Sequence, residues 1–251
     1  MIPPAFRFPA LALTAALLAV GCSSSQGEAA VGSADSASVA AVAAVPADTG
    51  ALSLDDLSLW RGYKMDHVPS TWTVEDGAIT LNRAAGKEAG DLITRQEFGD
   101  FDLELDWKIS EGGNSGIIYR VGEDQPQTYN TGPEMQVIDN ERHADAKIPS
   151  HRAGALYDLI VPPEGIAKPA GEWNHSRLRV EGNHIQQWLN GTSTADITMG
   201  TPEWDKAIQA SKFRTMPAFA THAKGYIAFQ DHGGDRVWFR NIRIRPLASG
   251  N

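Results

Sequence analysis

Glu134-Met135-Gln136-Val137-Ile138-Asp139-Asn140 sets acids and amides into what otherwise has the pattern of a buried β-strand. Side chains alternate across a strand, so Glu134, Gln136 and Ile138 share one face while Met135, Val137 and Asp139 share the other. One face is apolar until its last residue, and the other begins with a carboxylate and a carboxamide. Such a strand either lines a polar cleft and packs a core behind it, or belongs to a sheet with one face open to water.

The flanking sequence extends the sheet in both directions. Phe101 to Ile109 alternates strictly, predicting Phe101, Leu103, Leu105, Trp107 and Ile109 inward and Asp102, Glu104, Asp106 and Lys108 on a solvated face. After a Gly112-Gly113-Asn114 turn a strand resumes, with Asn114, Gly116, Ile118 and Arg120 on one side; a strand glycine such as Gly116 marks a place of close approach to the backbone. Asp76-Gly77, Glu181-Gly182-Asn183 and Asn190-Gly191 read as hairpin turns. Gly225 to Gln230 offers Ile227 and Phe229 to a core and gathers Tyr226, Ala228, Gln230 and His232 on the other face. Val237 to Arg245 forms a last strand with its arginines toward water, and Trp72, Trp107 and Trp188 are assigned to packing. Thr201-Pro202-Glu203 supplies an N-cap, a first-position proline and a first-turn acid for a single helix. The pattern predicts an all-β, mostly antiparallel sandwich with one short surface helix.

The chain has 251 residues and a formal net charge of -9, a balance that argues against nucleic acid or an anionic membrane surface and favours a neutral or polar ligand. Cys22 is the single cysteine, which excludes an intramolecular disulfide and a cysteine zinc cage. Residues 1–21 carry Arg7 and an apolar run from Pro9 to Val20, the organisation of a secretory signal. Leu18 to Cys22 resembles the bacterial lipobox, which implies lipidation of Cys22 and an anchor in the cell envelope. Ser23 following it implies the outer membrane, with the protein facing the periplasm. Residues 22–51, rich in Ala, Ser and Gly, read as a flexible tether, and residues 52–251 as one folded domain.

Eight runs occur in order across that domain: Trp72 to Ile79, Gly113 to Arg120, Glu134 to Asn140, Gly154 to Tyr157, Gly171 to Asn174, Trp188 to Gly191, Gln230 to Gly233 and Phe239 to Ile242. Together they resemble the DUF1080, or 3-keto-disaccharide hydrolase, domain. The resemblance implies a concanavalin-like jelly roll whose concave face binds sugar. It also implies cleavage of a glycoside already oxidised to a ketone at its third carbon. The ketone acidifies the hydrogen on the second carbon, so a base can start a β-elimination and water can then hydrate the resulting glycal.

On that footing Glu134 and His232 are the catalytic candidates, Glu134 standing at the head of the motif strand and His232 on the face of Gln230. A structural role for Glu134, paired with Arg120, is the alternative. Asn114, Arg120, Gln136 and Gln230 suit sugar hydroxyls, and Tyr157 and Trp173 are candidate stacking platforms. Asp139 and His143 are positioned to join a divalent metal that polarises the ketone, and Asp231, on the core side, calls for a structural hydrogen bond. No nicotinamide or flavin fingerprint is present, so a partner oxidoreductase is expected to supply the 3-keto substrate. The competing functions are a noncatalytic carbohydrate-binding lipoprotein and a retaining glycosidase. The latter needs two carboxyl groups about 5–5.5 Å apart, and Gln136 and Ile138 at the alternate positions after Glu134 count against it.

Overall fold

The structure is a computed structural model and describes residues 50–233 and 236–248; the expected signal, Cys22 and nearly all of the tether lie outside them. The first strands are β1 (Leu52–Ser53), β2 (Trp60–Gly62), β3 (Trp72–Glu75), β4 (Ala78–Asn82), β5 (Leu92–Thr94) and β6 (Phe101–Ile109). Then come β7 (Asn114–Val121), β8 (Glu134–Ile138), β9 (Asn174–Glu181), β10 (His184–Leu189) and β11 (Thr192–Thr198). Helix α1 (Pro202–Ala210) precedes β12 (Tyr226–Phe229) and β13 (Arg236–Pro246).

These strands form two antiparallel sheets. One runs β11-β10-β9-β6-β13-β4-β3 with β1 added on β13; the other runs β2-β5-β12-β7-β8. Their facing sides enclose the core that the alternation predicts, with Phe101, Leu103, Leu105, Trp107 and Ile109 of β6 packed with Ile117, Tyr119, Met135 and Val137. Trp60, Phe229 and Phe239 stack in series through its middle. The Asp76-Gly77 and Asn190-Gly191 turns take positive φ at both residues, the geometry that matches the twist of paired strands. Thr201 caps α1 by accepting the Trp204 N–H, and Pro202 opens the helix as the sequence indicates.

The outward face of the larger sheet differs from expectation. The acids of β6 are not simply solvated: Asp102 is buried, receiving two hydrogen bonds from Arg177 at 2.8 and 2.7 Å and one from Arg245 at 3.2 Å. The arginines of β9 and β13 cover the acids because these strands flank β6 and the paired residues share a face. Trp188 belongs to the same face, beneath the Arg177 guanidinium at 5.1 Å, while Gln187 takes the buried position and bonds the Tyr119 hydroxyl.

Candidate active site

The face of the five-stranded sheet that points away from the core carries the polar half of β8. Met135 and Val137 enter the core, so Glu134 and Gln136 must project the other way. On one side β8 pairs with β7, setting Gln136 opposite Gly116 and Glu134 opposite Ile118. On its other side lies the segment 154–157, bonded through Gly154 N–H to Gln136 O, Gln136 N–H to Ala155 O and Tyr157 N–H to Glu134 O. The Gly154 to Tyr157 motif thus acts as an edge that brings Tyr157 beside Glu134.

A cavity of about 230 Å³ opens there, lined by Asn114, Tyr129, Glu134, Gln136, Tyr157, Lys212, Gln230 and His232. Its volume is below the roughly 300–1,000 Å³ of drug-sized sites, in keeping with one small polar ring. Larger cavities of about 520 and 370 Å³ lie elsewhere, but neither is lined by Glu134. The 230 Å³ cavity joins a buried carboxylate, an ammonium, carboxamides and an imidazole, and we identify it as the candidate active site.

Glu134 is only 5% exposed. Burial pushes its pKa up to about 8, against the pull of the Lys212 charge, with Asp91 and Asp145 adding to the rise. Gly116 is what permits this placement: a Cβ there would overlap Oε1 of Glu134. The close approach expected at the strand glycine is therefore made by the protein's own carboxylate.

Tyr157 and Lys212 are held by one hydrogen-bonded chain. The Tyr157 hydroxyl donates to Asp145 at 3.0 Å; His151 bridges Asp145 at 2.8 Å and Asp158 at 3.0 Å; Asp158 accepts the Lys212 backbone N–H at 2.8 Å. Burial and the neighbouring Asp145 carboxylate both hold the Tyr157 phenol protonated, well above the usual range. For Asp145, burial raises the pKa, but hydrogen bonds from His151 and Tyr157 outweigh it and leave the carboxyl below its ordinary value.

Of the residues anticipated from sequence, Glu134, His232, Asn114, Gln136, Tyr157 and Gln230 converge on this cavity. Arg120 does not, and it pairs with Asp100 rather than Glu134. Its backbone takes φ 53 at a bulge where the β7–β12 register steps from Ile118↔Ala228 to Val121↔Tyr226. That extra residue puts Val121, not Arg120, in the cluster with Ile118. The Arg120 guanidinium instead bonds Gly99 O, Asp100 and Gly182 O and lines the 520 Å³ cavity. Trp173 is also elsewhere, between Lys108 and Arg240 at 5.0 and 3.8 Å, where cations already cover the ring.

Asp139 and His143 are both engaged with the backbone. Both Asp139 oxygens accept backbone N–H groups, from Gly112 and Glu141, and His143 Nδ1 accepts the Asp145 N–H. Among the described residues no three His, Cys, Asp or Glu side chains gather as a metal site. The His143 ring instead meets His232 edge to face at 5.6 Å. Asp231 is a structural acid, bonded by Arg83 and the Gly90 N–H. Sequence reasoning missed Lys212 and Tyr129, which stand in short 3₁₀ turns with no local pattern to mark them.

Residues 52–245 match the model of the 3-keto-alpha-glucoside-1,2-lyase-like domain. A Bacteroides thetaiotaomicron protein named 3-keto-disaccharide hydrolase is 40% identical over 216 residues, covering 75% of this chain and 74% of its own. A Parabacteroides distasonis structure assigned as a glycosyl hydrolase superposes with a TM-score of 0.69 at 29% identity, covering 77% of this chain and 90% of that one. A Bacillus subtilis protein with a galectin-like fold, 12% identical, covers 79% of this chain and 94% of its own at a TM-score of 0.50, a likeness of fold alone. With that match spanning most of the described domain, the chain belongs to the 3-keto-alpha-glucoside-1,2-lyase-like domain family.

Proposed function

We propose that the protein is a carbohydrate-cleaving enzyme that acts on 3-keto-glycosides by proton abstraction, β-elimination and hydration. The observation that carries this reading is Glu134, a buried carboxylate of raised basicity in a cavity otherwise lined by amides, phenols, an ammonium and an imidazole. An isolated carboxylate suits removal of a carbon-bound proton, because a pKa near the operating pH gives a base that is both available and strong. A retaining glycosidase needs a second carboxyl about 5–5.5 Å away, and Glu134 is the single carboxylate among the residues lining the cavity. The name of the Bacteroides relative supports a 3-keto sugar substrate, and that of the Parabacteroides relative supports glycoside cleavage in general.

In this mechanism Glu134 takes the C2 proton, His232 at the cavity mouth returns a proton to the departing oxygen, and Asn114, Gln136 and Gln230 bind ring hydroxyls. Water then adds hydroxyl to C1 and a proton to C2 of the glycal. A partner oxidoreductase of another chain supplies the ketone, and the Cys22 anchor holds the enzyme at the envelope, facing the periplasm. Metabolic labelling with a fatty-acid probe tests that anchor: Cys22→Ser is expected to abolish labelling, and undiminished labelling would refute it.

The decisive experiment compares turnover of a chromogenic 3-keto-glucoside with its unoxidised parent, each with and without chelator. Cleavage of the ketone alone, lost in Glu134→Gln while sugar binding persists, is expected. Equal cleavage of both, or of neither with retained binding, would overturn the reading. Loss of activity with chelator would show that a divalent metal takes part.

A further inference from the structure

The ammonium of Lys212 occupies an unusual setting for a surface-capable cation. It stands 4.3 Å from the centre of the Tyr157 ring, 5.2 Å from that of Tyr129 and 5.3 Å from that of Phe213. It lines the same cavity as Glu134, and its charge bears on that carboxylate. No ion pair within 4.0 Å is formed by Lys212 among the described residues, whereas Arg61, Arg120, Arg177 and Arg243 each hold a carboxylate.

Its position is fixed from two directions. Ser211 caps the turn that carries it, accepting the Phe213 N–H, while the Lys212 N–H is bound by Asp158. Asp158 continues through His151 and Asp145 to the hydroxyl of Tyr157, whose ring lies under the ammonium. One network therefore orients both the main chain of the lysine and the aromatic surface that guides its side chain. Aromatic faces steer a cation without neutralising it, leaving its N–H donors for an oxygen in the cavity.

We propose that Lys212 is the electrophilic catalytic residue of this site, donating to the C3 oxygen of the substrate as negative charge collects there. The assignment rests on the proposed function and deepens it. When Glu134 removes the C2 proton, the C2–H electron pair forms the C2=C3 double bond and the carbonyl pair moves onto the C3 oxygen. Lys212 stabilises that oxyanion. On collapse the C3=O bond re-forms, the C1=C2 bond forms, and the C1–O bond breaks with its pair leaving on the aglycone oxygen, which takes a proton. An unoxidised glycoside carries a hydroxyl at C3 and develops no such charge, so Lys212 also confers preference for the ketone.

The test uses the wild-type protein, Lys212→Met, Lys212→Arg and Lys212→Ala, with a 3-keto-glucoside in heavy water. Turnover and exchange of the C2 hydrogen are followed by NMR, and urea midpoints report folding. The Met variant is expected to lose kcat by about 100-fold or more, the range seen for removal of one oxyanion donor, with a much smaller change in KM. C2 exchange should fall in parallel, Arg should retain part of the rate, and added alkylammonium should partly restore the Ala variant. A Met variant that is folded and keeps kcat within about threefold of wild type, or one that loses only KM while exchange persists, would overturn the assignment. If Met fails to fold, the Ala variant with alkylammonium decides, and absence of rescue counts against it. A wild-type protein that neither exchanges nor cleaves the ketone would instead refute the functional reading itself.

Discussion

Gly116 and Glu134 define each other. The carboxylate lies where a β-carbon of residue 116 would be, so Gly116→Ala must displace Glu134 or the β7 backbone. Overpacking of this kind costs about 1–3 kcal/mol, and here it acts on the reacting group. Gly116→Ala is expected to lose most turnover while lowering the urea midpoint only moderately; wild-type kinetics with an unchanged midpoint would show that the site relaxes freely. The raised pKa gives a second expectation. Because burial holds Glu134 near 8, kcat/KM should climb with pH as the carboxylate ionises and level off above that value. A pH–rate profile flat from about 6 to 9 would remove Glu134 from the role of base. At this scale the sequence was informative wherever strict alternation held, as for Glu134 and Gln136 on β8. It misled at Arg120, because one left-handed residue inverts the facing and nothing local announces a bulge.

The elements show a different division between what was legible and what was not. Strands and hairpins follow from alternation and turn chemistry, and β6 runs as its pattern indicates. What a strand's outer face meets depends on which strands lie beside it, and that is a matter of topology. Asp102, Asp106 and Glu104 look like solvated acids until β9 and β13 bring Arg177, Arg179, Arg240 and Arg245 over them. Burial raises the Asp102 pKa, but the hydrogen bonds and charges of Arg177 and Arg245 outweigh it, and the carboxyl lies below its ordinary value. Its stabilising contribution is present above the unfolded-state pKa and is lost as pH falls through the folded one. Asp102→Ala leaves the partly buried Arg177 and Arg245 guanidinium groups without their shared partner, a change that costs about 1–3 kcal/mol. Denaturant titration at neutral pH should show that loss, and the difference from wild type should shrink in acid. A variant equal to wild type at neutral pH would mean the arginines re-pair with Glu104 and Asp106.

For the molecule as a whole, the sandwich is assembled so that the outward face of one sheet carries the Asp102 ion-pair cluster and the outward face of the other carries the cavity. Placing Glu134 in that cavity makes the whole fold sensitive to alkali. Between the ordinary glutamate value of 4.5 and the raised value of about 8, the folded protein holds a proton that the unfolded chain has released. Stability must then fall as pH rises through this interval, since the unfolded chain is favoured by the proton it gives up. Every tenfold difference in proton affinity between the two states is worth about 1.4 kcal/mol, so the total is on the order of a few kcal/mol once local relaxation is allowed. Glu134→Gln keeps the shape and cannot ionise, so it should gain on the wild type across the same window. Urea midpoints for the two proteins should coincide most closely near pH ~5 and separate progressively towards pH ~9, with the variant the more stable. Parallel curves would mean that the carboxylate is ionised in the folded protein at neutral pH, and that the Lys212 charge, rather than burial, governs its state.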